Sequence, residues 1–161
     1  MQEKFWNYLL QVRTNVEYLD VYAEKTYIVD RNLRIICAIA SSSAIAAWAV
    51  WTELAFLWSG VIVISQVISA IKDVLPFSQR MKMLKELNGA MKSIFQRMEY
   101  DWYKVSDGQL TEEEINELLF DYKRAVSEIE NKFLSDSILV ENNQYTAIAE
   151  EKCEKYFKSI Y

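Results

Sequence analysis

Ser59, Ile62, Gln66, Ser69 and Asp73 recur at a spacing that places them in one narrow stripe of a helix. Hydroxyls, an amide and a carboxylate in a row can do two things inside an otherwise apolar segment. They can hydrogen-bond to a neighbouring helix, or they can line a water-filled path in an oligomer. A subunit with two such helices cannot enclose that path alone. In the preceding segment Ala38, Ser42, Ala46 and Ala49 share one helical face, and small residues at that spacing let helix backbones approach closely. Ala38, Ser42, Ala46, Ala49, Ser59, Gln66, Ser69 and Asp73 are therefore candidate pore-lining or helix-interface residues. Both readings stay open at this level.

Other chemistries lack their residues. The chain has no histidine, which removes the commonest general base and the commonest metal ligand. Cys37 and Cys153 stand far apart and belong to no metal-binding or redox motif. With Gly60, Gly89 and Gly108 as the only glycines, no glycine-rich phosphate loop can be written. A non-enzyme is expected, without cofactor and without metal. Residues 107–161 carry 13 acidic against 6 basic side chains, which argues against nucleic acid as a partner.

The segment that carries the stripe is unusual. From Ile35 to Ile71, in 161 residues of otherwise average composition, the sole charge is Glu53. It divides the run into residues 35–52 and 54–71, each about 18 residues or ~27 Å of helix, close to a ~30 Å hydrocarbon layer. Arg31 and Arg34 precede the run, and Lys72, Arg80, Lys82 and Lys85 follow it. By the positive-inside rule this predicts a two-span transmembrane hairpin turning at Glu53, multi-pass in the inner membrane, with both termini cytoplasmic. Trp48, Trp51 and Trp58 would then form an interfacial belt around the turn. The lipid bilayer is the first partner implied. A buried hairpin in a soluble bundle is the competing reading, but the chain has little other sequence with which to cover it.

Outside this run the pattern is helical throughout. Phe5, Leu9, Val12, Val16, Leu19, Ala23 and Tyr27 approach a heptad seam and predict an amphipathic cytoplasmic helix over 1–34. Residues 72–161 predict further helices. One stripe runs Phe77, Met81, Leu84, Leu87, Met91, Ile94, Met98 and Trp102. A break follows at Asp107-Gly108, and a capping box at Thr111–Glu114 opens a helix faced by Ile115, Leu118, Leu119, Tyr122, Val126, Ile129 and Phe133. A last helix begins between Asn142 and Thr146 and shows Tyr145, Ala149, Cys153, Tyr156 and Ile160. The expected fold is an all-α membrane protein: a transmembrane hairpin over 35–71, with 1–34 and 72–161 completing one cytoplasmic helical bundle.

This order of parts, with helices of the texture QRMKMLKELNGAMKSIFQRMEYDWYKV and LTEEEINELLFDYKRAVSEIENKF, resembles the SLATT domains. These are two-transmembrane effector domains of prokaryotic conflict systems, associated with SMODS nucleotidyltransferases and SLOG sensors. The resemblance implies a pore-forming effector of antiphage defence and abortive infection. Such an effector would oligomerise and perforate or depolarise the inner membrane when an upstream sensor or other defence-system protein triggers its bundle. A homo-oligomer is expected on that reading. The alternative is a membrane anchor or accessory subunit that docks a partner enzyme or sensor and forms no pore. A holin-like lysis protein is disfavoured by the large polar portion, and a soluble enzyme by the missing chemistry.

Overall fold

In the computed structural model the described residues are 1–50, 55–74, 77–134 and 139–160, and the side chains of 39–50, 55, 57–58, 61, 69, 71–74 and 77–78 are not described. Five α-helices and no strand occur among them: α1 (Gln2–Val50), α2 (Ala55–Val74), α3 (Phe77–Ser106), α4 (Glu112–Leu134) and α5 (Asn143–Ile160). No glycine or proline occurs before Gly60, so nothing in α1 interrupts the helical hydrogen-bond ladder. Two compact units result, one of Met1–Ala23 with Lys82–Tyr161 and one of Glu24–Met81.

The first unit is a four-helix bundle. Phe5, Leu9, Val12, Val16 and Leu19 of α1 are buried at 4-3-4-3 spacing, and Leu84, Leu87, Met91, Ile94, Met98 and Val105 of α3 meet them in one core. Full burial of each such side chain contributes roughly 1.5–3 kcal/mol, so this seam dominates the unit's stability. The two helices run antiparallel. Gln2 donates to the Val105 carbonyl at 2.7 Å. About five turns further along the seam, the Asn88 amide donates to Asp20, which also pairs with Lys92 at 2.6 Å. Ile115, Leu119 and Val126 of α4 and Ala149, Cys153 and Phe157 of α5 close the bundle.

Local chemistry sets the ends of these helices. Gly108 takes φ 70°, which an L side chain adopts only with strain. Its N–H bonds the Val105 carbonyl while the Gln109 N–H bonds that of Lys104, a Schellman closure of α3. At the start of α4 the expected capping box is present: the Thr111 N–H donates to Glu114 at 2.7 Å, and the Glu114 N–H donates to the Thr111 hydroxyl at 3.3 Å. The same contacts hold the Glu114 carboxyl below its ordinary pKa. Asn142 caps α5 by accepting from the Gln144 N–H.

The second unit holds residues 24–50 of α1 and all of α2. Thr26, Asp30, Leu33 and Cys37 are half-buried at 4-3-4 spacing and mark one covered face of α1. On α2 the less exposed described positions, Ser65 and Ile68, likewise share a face. The remaining described side chains of α2 are exposed.

This architecture corrects the membrane reading. No helix among the described residues is long and apolar enough to cross a membrane. The two-span transmembrane hairpin, the fold class built on it, and the multi-pass inner-membrane placement with cytoplasmic termini are therefore not supported, whereas an all-α helical bundle is. The span reading rested on the absence of charge, and uncharged is not the same as apolar. Residues 35–52 include Ser41, Ser42, Ser43 and Thr52 among many alanines, and α2 includes Ser59, Gly60, Ser65, Gln66, Lys72 and Asp73. Such residues add little favourable transfer energy, or oppose it. Residue 35 is also not a boundary, because α1 passes through it without interruption. The expected turn at Glu53 lies outside the described residues.

Candidate functional site

The polar side chains buried in the first unit are engaged with one another. Arg13 of α1 pairs with Glu17 at 2.5 Å, both mostly buried, and its guanidinium lies 3.8 Å from the Tyr156 ring centre and 5.0 Å from that of Phe95. The Tyr156 hydroxyl donates to Glu99 at 2.8 Å, and burial with that bond pushes its pKa up to about 12. Tyr122 donates to Asp101 at 2.8 Å, with its phenol raised still further, first by burial and then by the carboxylate. Burial also raises the Cys153 thiol, which faces the Leu10 carbonyl. A raised thiol or phenol is a poor nucleophile or base near neutral pH. These groups tie α1, α3, α4 and α5 together; they do not form a reactive centre. Among the described residues no group of three or more acidic or cysteine side chains could hold a metal ion.

The expected pore or interface residues all fall on α1 and α2 within the second unit. Ala38, Ser59 and Gln66 are exposed. Ser42, Ala46 and Ala49 lie on α1, and Ser69 and Asp73 on α2, with side chains outside the described residues. Of the expected tryptophan belt, Trp48 is on α1 and Trp58 on α2, their side chains likewise not described, and Trp51 lies outside the described residues altogether.

What surrounds Gln66 is more informative than the stripe itself. Phe56 is 89% exposed and Val63 60% exposed, and Val67 follows one turn later on the same face of α2. Ser59, Gly60 and Ala70 complete that face with small exposed residues. Ile62 and Ile64 are exposed beside it, and Tyr27, Val29, Ile35 and Ile36 are exposed on α1. Large apolar side chains are left open in this number within one small unit, and such exposure can bury apolar area against another protein surface.

Sequence reasoning concentrated on the polar stripe and counted Phe56, Val63 and Val67 only as part of the apolar run. It also placed Tyr27 in the seam of α1, where the structure leaves it 54% exposed and puts Thr26 instead. In comparisons with known proteins, no protein family, no curated protein and no solved structure matches this chain.

Proposed function

We propose that this chain is a non-enzymatic assembly subunit. It self-associates through the apolar residues of its second unit and receives its partner through the four-helix bundle of the first. The observation that carries this reading is the exposure of Phe56, Ile62, Val63, Ile64 and Val67 on α2 together with Tyr27, Val29, Ile35 and Ile36 on α1. The second copy is favoured as occupant because the α2 face carries the primary amide of Gln66 among uncharged residues. An amide both donates and accepts, so two copies related by a two-fold axis satisfy each other there. The biological setting proposed with it is the one implied by the SLATT resemblance, a prokaryotic antiphage system, with an upstream sensor acting on the bundle and with membrane perforation removed from the reading.

Sedimentation equilibrium of the full chain tests the proposal. The wild type should be oligomeric at micromolar concentration, and Val63→Ser/Val67→Ser should shift it to monomer with unchanged helical circular dichroism. A monomeric wild type, or one that instead floats with liposomes, would overturn it.

A further inference from the structure

Two concavities lie along the same side of α4 in the first unit. The larger, of 440 Å³, is lined by Glu113, Asn116, Glu117, Leu119, Phe120 and Lys123. The smaller, of 120 Å³, brings Leu134 and Glu130 of α4 against Asn15 and Leu19 of α1. Tyr8 of α1 links them: Lys123 lies 5.5 Å from its ring centre, and Glu130 is close enough to raise its phenol, after burial itself. The larger is a groove on the surface of α4 itself, walled by α4 side chains alone.

Its chemistry is specific. Phe120 is 64% exposed although it belongs to no core stripe. Glu113 and Glu117 stand two turns and one turn before it on the same face. Helix α4 carries seven acidic and three basic side chains, all in the sequence EEEINELLFDYKRAVSEIENKFL. An aromatic anchor bordered by carboxylates complements an apolar ridge bordered by cations. Nucleic acid is repelled by this charge, and a symmetric second copy would bring its own acidic α4 against it.

Building on the reading that the first unit receives a partner, we infer that the groove on α4 around Phe120 binds an amphipathic helix of another protein. That helix presents large apolar residues at i, i+3 or i+4, and i+7 to Phe120, with Lys or Arg along its edges. Phe120 is the anchor, and Glu113 and Glu117 select the sign of charge and speed encounter.

Fluorescence anisotropy of the full chain with a labelled Leu/Lys amphipathic peptide of about 18 residues tests this, with the matched Leu/Glu peptide as control. The Leu/Lys peptide should bind saturably and more weakly as salt rises, and the Leu/Glu peptide should not bind. Phe120→Ala and Glu117→Lys should each weaken binding about tenfold. Glu154→Lys, an equal charge change on α5, should leave it unchanged. Equal loss with Glu154→Lys would show only a general attraction to an acidic protein, and binding indifferent to Phe120→Ala would remove the groove; either overturns the inference. Sedimentation of the same variants keeps the two proposals apart, because all three should retain the oligomeric mass of the wild type.

Discussion

Replacing Arg13 by methionine isolates the buried charge pair within α1 that packs against Tyr156 of α5. Methionine keeps most of the packing volume against Phe95 and Tyr156 but leaves Glu17, 9% exposed, without its ion-pair partner at 2.5 Å. An uncompensated buried charge costs about 3–5 kcal/mol, and the lost contact with two aromatic faces adds up to ~2. One feature pulls the other way. The Arg13 Nε is buried with no hydrogen-bond partner, so the wild type already carries part of that penalty. The expected loss is about 4 kcal/mol, or a fall of about 2 M in the urea midpoint at a slope of ~2 kcal/mol/M. Glu17→Leu in the same background should recover most of it, because burying two apolar groups replaces the pair at little cost. The assay is urea unfolding of the wild type, both single variants and the double variant at one protein concentration, which closes a thermodynamic cycle. A coupling energy of about 2–3 kcal/mol is expected. A double variant that loses the sum of the single losses would refute the reasoning and locate the cost of Arg13→Met in packing alone.

Further outcomes follow from the ends of the helices and the buried phenols. Gly108→Ala should destabilise by about 1–2 kcal/mol, since alanine must adopt the left-handed φ of 70° that closes α3; thermal melts read it directly. Thr111→Ala should cost about 1 kcal/mol through loss of the cap of α4. Because that cap lowers the Glu114 pKa, its contribution is present above the ordinary carboxylate value of 4.5 and disappears as pH falls through the depressed one. Acid melts of Thr111→Ala should accordingly show a shallower loss than those of the wild type. At the alkaline end the sign reverses: Tyr156 is raised in the folded state, so its contribution holds below pH 10 and is lost as pH rises to about 12. Tyr156→Phe should flatten that limb. Native Cys153, buried and raised, should resist alkylation until the bundle unfolds, and rapid labelling of the native chain at that residue would contradict its placement in the core.

The bundle was largely legible because its core positions are both apolar and periodic. Phe5 to Leu19, Leu84 to Met98, and Ile115 with Leu119 and Val126 carry their burial in their spacing. The turn chemistry of Gly108 and Thr111 was equally local, and so was readable. Legibility failed where a covered face is polar. The repeat Phe5, Leu9, Val12, Val16, Leu19, Ala23 continues through Thr26, Asp30, Leu33 and Cys37, but hydropathy diverts the eye from Thr26 to Tyr27. Asp30 tolerates half-burial by pairing with Arg34 at 2.8 Å, a partner that the pattern alone does not reveal. The second failure was of inference rather than pattern: an uncharged run was equated with a membrane span. Phe120 shows what a better signal looks like. It sits beside the stripe of α4, not in it, and an off-stripe aromatic is where a helix advertises contact with something outside its own core.

The unbroken course of α1 constrains how this protein can change length. From Phe5 to Cys37 the covered positions advance by fours and threes without a skip. Each residue added to a helix turns everything beyond it by about 100°, so a single insertion between Tyr27 and Ile28 would present Val29 and Asn32 where Asp30 and Leu33 now pack. Insertions of seven or eleven keep the phase to within ~20°, and insertions of three or four overwind or unwind the helix locally. Engineered versions of this chain should thus keep the covered face of α1 only when its length changes by steps that return to phase, as a screw accepts a nut only at whole turns.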